Sequence, residues 1–154
     1  MVNMSFRQFI NLMIGIGVFC SLFLVFYLVR KAEIENNAIN NVEKLCKWQW
    51  NNFRSYGKMT QGASINQGDP LYIYRCLEIQ GIGYNASVVS AQPKENGMSS
   101  FVGLAFAPTG TQKNYVCDIC KSHDSNVTPN TSTMIRGTIL DCPRGYFLLK
   151  RIDG

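Results

Sequence analysis

From Gln8 to Val29 the chain carries no charged side chain. At about 1.5 Å per helical residue this run spans about 30 Å, the thickness of a bilayer's hydrocarbon layer. It constrains the fold more than any other feature, because an apolar helix of this length has to be covered by lipid or by protein. A signal peptide's apolar region is shorter, about 7 to 15 residues, and no small-x-small cleavage pattern follows Val29 before Arg30-Lys31. The run therefore predicts a retained signal-anchor over residues 8–30, preceded by a short N-terminal tail, 1–7. Gly15, Gly17, Cys20 and Ser21 are small residues within it, but Gly15-x-Gly17 lacks the i, i+4 spacing of close helix packing.

The two sequence signals for orientation oppose each other. Arg7 precedes the span, whereas Arg30, Lys31, Lys44 and Lys47 follow it, and positive charge favours the cytoplasmic side. Of the six cysteines, Cys20 lies in the span and Cys46, Cys76, Cys117, Cys120 and Cys142 lie beyond it. That density suits an oxidising compartment. We weigh the cysteines more heavily and expect a single-pass protein whose C-terminal domain is extracytoplasmic or virion-exposed.

Beyond Arg30 no Gly or Pro occurs before Gly57, so the anchor should continue as a juxtamembrane helix over 31–56. Ile34, Ala38, Val42, Leu45 and Trp48 recur at steps of three and four and form one apolar stripe. They are the candidate partner-contact residues, the partner being the chain's own sheet or a neighbouring subunit. Trp48, Trp50 and Phe53 should pack on the sheet.

The remainder, 57–154, reads as an antiparallel β-rich domain. Gly57 to Pro70 has the composition of a loop. After it, Leu71, Ile73, Leu77 and Ile79 alternate with Tyr72, Tyr74 and Cys76 in a strand pattern. Further strands are expected at Tyr84–Ala91, Ser100–Ala107, Asn114–Ile119, Met134–Asp141 and Tyr146–Ile152. The connections are short and hold no helix, which favours an antiparallel meander. The fold class is α+β: a long N-terminal transmembrane helix continuing into a juxtamembrane helix, then a small antiparallel sheet with disulfides.

This layout resembles that of type IV pilins and pseudopilins. That family has a short basic leader ending in a small residue, then an aromatic, with a glutamate five residues into the mature chain. MVNMSFRQFINL supplies Phe6, but no glycine precedes it and Ile10 stands where the glutamate would be. The resemblance implies a subunit of a secretion or pilus machine.

The cysteines beyond the span admit two intramolecular bridges and one thiol left over. Bridges joining one element to another staple a small core, so Cys46–Cys76 and Cys142 with Cys117 or Cys120 are the expected pairs. Cys117-Asp-Ile-Cys120 also has the spacing of a thiol-disulfide oxidoreductase, with Cys117 attacking and Cys120 resolving. That reading lacks a surrounding βαβ unit. Cys117, Cys120, His123 and Cys142 have the ligand types of a zinc site but no second paired knuckle. His123 sits in a polar run that reads as an exposed loop, with no nucleophile assignable beside it. No carboxylate pair or phosphate-binding glycine loop is present, so we expect no catalytic residues, no metal and no cofactor.

Charge adds little. Fifteen Lys and Arg against ten Asp and Glu give +5, scattered along the chain rather than gathered in one stripe, so nucleic acid is not an expected partner. The sequons at Asn85, Asn126 and Asn130 occur at about the chance rate for this composition. The sequence thus points to a non-enzymatic membrane-anchored structural or assembly subunit of a cell-envelope or virion surface complex. Its partners would be the lipid bilayer and other membrane or envelope proteins, including a homo-oligomer.

Overall fold

A computed structural model describes residues 6–57, 69–81, 84–108, 116–125, 135–136 and 139–153. The chain divides into two compact units, Met1–Ile34 and Glu35–Gly154. One helix, α1 (Phe6–Tyr56), runs through both, as the absence of Gly and Pro beyond Gly17 predicts. It stops at Gly57, whose positive φ of 70° lets its N–H turn back onto the Phe53 carbonyl at 2.8 Å.

In the first unit every large apolar side chain from Phe9 to Val29 is exposed. Among the described residues α1 is the one helix long and apolar enough to cross a membrane, with a mean hydropathy of 2.6 in its most apolar window. Exposure of a large apolar side chain to water forgoes roughly 1.5–3 kcal/mol. A whole domain is stable by only about 5–15 kcal/mol, so this face requires an apolar surrounding. The polar hydroxyl within the run is satisfied locally, Ser21 Oγ donating to the Gly17 carbonyl at 2.8 Å.

The second unit is built on a five-stranded antiparallel sheet, β1 (Tyr72–Gly81), β2 (Tyr84–Pro93), β3 (Ser99–Pro108), β4 (Val116–Ser125) and β7 (Tyr146–Asp153), in the order β1-β2-β3-β4-β7. The pairings are Tyr72↔Pro93 through Gly81↔Tyr84, Tyr84↔Pro108 through Ala91↔Phe101, and Phe101↔Lys121 through Phe106↔Val116. The predicted meander is the observed one, with three adjustments. Between β4 and β7 the described residues include two short strands, β5 (Ile135–Arg136) and β6 (Ile139–Leu140), paired with each other, where one strand was expected over Met134–Asp141. Strand β4 extends to Ser125, six residues past its expected end at Ile119. His123 therefore lies on a strand, exposed as expected but not in a loop: Ser122 before it is still buried, while Asp124 and Ser125 after it are exposed with it. The expected loop at Gly57 to Pro70 lies mostly outside the described residues.

The face toward α1 is covered, and the centre of the opposite face is buried as well. Tyr72, Tyr74, Cys76, Val89, Ala91, Phe101 and Ala105 share the face toward α1 with Cys117 and Ile119, and Ala38, Val42, Leu45 and Cys46 of the helix are buried with them. The opposite face has its own cluster of Val88, Val102, Leu104, Cys120 and Tyr146, on which Cys142 packs. Phe53 is buried and Trp50 packs on it, ring centroids 5.9 Å apart. Trp48, expected in the core, is 37% exposed, because the buried side of α1 passes from Leu45 and Cys46 to Gln49 and Phe53 and leaves Trp48 at its border.

Candidate functional site

Two bridges define the β-domain, and β4 contributes to both. Cys46 of α1 joins Cys117, Cα atoms 6.4 Å apart, and Cys120 joins Cys142, 5.7 Å apart. On a strand, side chains alternate faces, so an offset of three sends Cys117 toward the helix and Cys120 to the opposite face. The C-x-x-C pair is consequently divided between two different staples. Cys117 and Cys120 cannot meet without unpairing β4 from β3 and β7. Cys117 and His123 lie on one side of the sheet and Cys120 and Cys142 on the other, so these four residues do not converge on one point. Among the described residues no group of three or more His, Cys, Asp or Glu could hold a metal ion.

The expected Cys142 bridge to one member of the C-x-x-C pair is present. The expected Cys46–Cys76 bridge is not: Cys76 is a buried free thiol. It sits on β1, two strands away from β3, over which Cys46 lies, and the buried Gln49 side chain hydrogen-bonds it. Burial pushes this thiol's pKa up, with the Gln49 contact acting in the other direction. A buried, protonated thiol is a poor nucleophile, which keeps it apart from the exchange chemistry of its neighbours.

Close approach of α1 to the sheet depends on Gly103. A Cβ there would stand 2.6 Å from Cys46 Sγ and 2.7 Å from Val42 Cγ1. The glycine pairs with Val89 and Ile119 in the middle of the sheet, where a bare Cα lets the disulfide lie against β3.

Polar contacts fix the same packing from its edges. Glu35, almost buried, accepts the Ser99 N–H at 3.0 Å and the Lys121 ammonium at 2.8 Å. Burial raises the pKa of this carboxyl, but the hydrogen bonds from Lys121 and Ser99 and the Lys121 charge together hold it below the ordinary value. Glu43 is also lowered, chiefly by hydrogen bonds from Lys150 at 2.7 Å and Lys47 at 2.8 Å. Asp69 begins the return to the sheet by accepting the Leu71 and Tyr72 N–H groups at 2.9 and 3.2 Å and the Tyr74 hydroxyl at 2.6 Å. Tyr74 Oη in turn accepts Asn41 Nδ2 of α1 at 3.1 Å. On the far face Arg151 grips the buried Asp118 with two bonds of 2.7 and 2.6 Å.

Of the candidate partner-contact residues, Ala38, Val42 and Leu45 are consumed by the protein's own core, Ile34 is half-buried, and Trp48 remains accessible. Sequence reasoning missed Glu35 and Gly103. Glu35 lies three residues before Ala38 on the same helical stripe, and a carboxylate on an apolar stripe calls for a buried cation. Gly103 interrupts the apolar run Phe101–Phe106, a sign of close backbone approach. The arrangement holds a helix against a sheet by covalent, ionic and packing contacts, and its bridges occupy the thiols of the C-x-x-C pair. Comparison of the chain with family models, curated proteins and solved structures finds no match.

Proposed function

We propose that this protein is a single-pass, membrane-anchored structural or assembly subunit of a cell-envelope or virion surface complex, without enzymatic activity and with its β-domain on the oxidising side. The Cys46–Cys117 bridge carries this reading: the helix that begins in the apolar run ends covalently stapled to the sheet. Disulfides of this kind persist where thiols are not kept reduced, which outweighs the positive charges after the span. The division of Cys117 and Cys120 between opposite faces favours a scaffold over a thiol-disulfide oxidoreductase. Native membranes washed with alkaline carbonate and then solubilised in mild detergent test the proposal. The subunit reading expects the chain to stay in the membrane pellet and to migrate in an assembly well above its own 17.3 kDa. Release by carbonate, or a monodisperse monomer, would contradict it.

The continuity of α1 with a helix-packed antiparallel meander favours a second reading, a pilin- or pseudopilin-like subunit. Mapping the mature N-terminus separates the two. A chain beginning at Phe6 supports leader processing of the pilin kind, and a chain retaining Met1 supports a signal-anchor.

A further inference from the structure

The two bridges differ in how a thiol can reach them. A thiolate opens a disulfide by attacking one sulfur while the other leaves, so exchange needs one sulfur within reach of solvent. Cys46 and Cys117 are both fully buried, between α1 and the face of the sheet on which Gly103 makes room for them. Cys120 is fully buried as well, on the opposite face. Cys142 alone of the four bridged residues is half-buried, with Asp141 before it and Arg144 just after it exposed. Attack on the first bridge therefore requires lifting the helix that Glu35 and Asn41 also hold to the sheet, whereas the second can be attacked in the folded domain.

The chain around Cys142 explains its access. Cys142 lies between β6 and β7, outside both, and Pro143 after it has no N–H with which to join a ladder. Pro143 is buried, its carbonyl accepts the Tyr146 N–H at 2.9 Å, and the Gly145 carbonyl accepts the His123 N–H at 2.8 Å. Those bonds hold the start of β7 to β4 without help from the disulfide. Cys120 is itself fixed in the sheet, paired with Val102 on one side and Leu148 on the other. Opening this bridge thus frees a loop closed over a sequence separation of 22, and frees Cys142 from the cluster of Val88, Val102, Leu104 and Tyr146, while the five-stranded sheet remains. Opening the other would cut the covalent link between α1 and β4.

We propose that Cys120–Cys142 is a site of thiol–disulfide exchange at which an external dithiol acts on Cys142, and that Cys46–Cys117 is the permanent staple. One thiolate of the dithiol bonds to Cys142 Sγ as the Cys120–Cys142 bond breaks, and Cys120 leaves as a thiolate that takes a proton from water. The second thiolate of the dithiol then attacks the dithiol's first sulfur in the mixed disulfide and releases Cys142 as a thiol. The dithiol is oxidised by two electrons and the bridge is reduced by two. The inference needs both bridges but not the assembly role proposed above, so either can fail without the other. The oxidised full chain in detergent micelles is treated with dithiothreitol without denaturant, quenched over time with N-ethylmaleimide and mapped by peptide mass spectrometry. The expected result is labelling of Cys120 and Cys142 about a hundredfold faster than of Cys46 and Cys117, with the buried Cys76 unlabelled throughout the fast phase. Glutathione, which has one thiol, should trap the first step as a species carrying glutathione on Cys142 and N-ethylmaleimide on Cys120. Equal reduction rates for the two bridges, or faster reduction of Cys46–Cys117, would overturn the proposal. So would glutathione on Cys120, or labelling of Cys76 in step with Cys120, which would mean that the bridge opens only through unfolding. Free thiols at all four positions before treatment would overturn this inference together with the stapled domain.

Discussion

Replacing Gly103 with alanine tests the helix–sheet packing at its tightest point. The added Cβ would be 2.6 Å from Cys46 Sγ and 2.7 Å from Val42 Cγ1, with Cys117 Sγ at 3.6 Å. Ordinary contacts between such atoms lie near 3.5–4.0 Å, so two neighbours must each give way by about 1 Å. Neither is free to do so: Cys46 is bonded to Cys117, and Val42 is fully buried on a helix held at Glu35 and Asn41. Overpacking of a rigid core costs about 1–3 kcal/mol, and the immobility of both neighbours puts this site at about 2–3. For a domain of this size that lowers Tm by about 10 °C. The assay is thermal unfolding of the oxidised full chain in detergent, followed by near-ultraviolet circular dichroism. Adding Val42→Ala removes one of the two clashes and should return part of the loss, a coupling of about 1 kcal/mol in a double-mutant cycle. An unchanged Tm for Gly103→Ala, or strict additivity with Val42→Ala, would refute the packing described.

Removing each bridge by paired Cys→Ala substitutions should rank them. Loss of Cys46–Cys117, with a sequence separation of 71, is expected to cost about 4 kcal/mol on the chain-entropy scale, and loss of Cys120–Cys142, with a separation of 22, about 3. Urea midpoints of the two variants measure this, and the reverse order would contradict it. Glu35, Glu43 and Asp69 all have depressed pKa values, so the stability they contribute is present above the ordinary carboxylate range and lost as pH falls through it. The decline should begin below pH 4.5, the ordinary value for Glu35, and continue to lower pH; Glu35→Gln should flatten it. An acid-unfolding profile that Glu35→Gln leaves unchanged would be inconsistent with that ion pair. Ser87 Oγ is buried with no hydrogen-bond partner among the described residues, so Ser87→Ala should be neutral or stabilising by about 1 kcal/mol, read from the same urea curves.

The elements that could be read from sequence were those whose signal is periodic and local. The uncharged run, the unbroken continuation of α1 to Tyr56 and the strand alternation around Tyr72, Tyr74 and Cys76 all follow from patterning within one segment. What could not be read depended on contacts between distant segments. Cys46 bonds Cys117 and not the expected Cys76, because pairing depends on which strand passes beneath the helix. The sheet order places β3 and β4 there, with Gly103 opening the space. Trp48 fits the helical stripe, yet the buried side of the helix continues through Gln49 and Phe53 instead. The His123 segment is polar because β4 leaves the core after Ser122, and composition alone does not separate an exposed strand end from a loop. Glu35 was legible in principle as a charge on an apolar stripe; its cation, Lys121, was not.

An oxidised, stapled β-domain on a membrane anchor has a definite cysteine pattern, which a cysteine-state map in native membranes reads out. Free thiols would be alkylated before and after reduction, and non-reduced peptides identified by mass spectrometry. Linked peptides are expected for Cys46–Cys117 and Cys120–Cys142, with Cys76 unreactive until the protein is unfolded. Free thiols at Cys46, Cys117, Cys120 and Cys142, or a Cys117–Cys120 bridge, would contradict it.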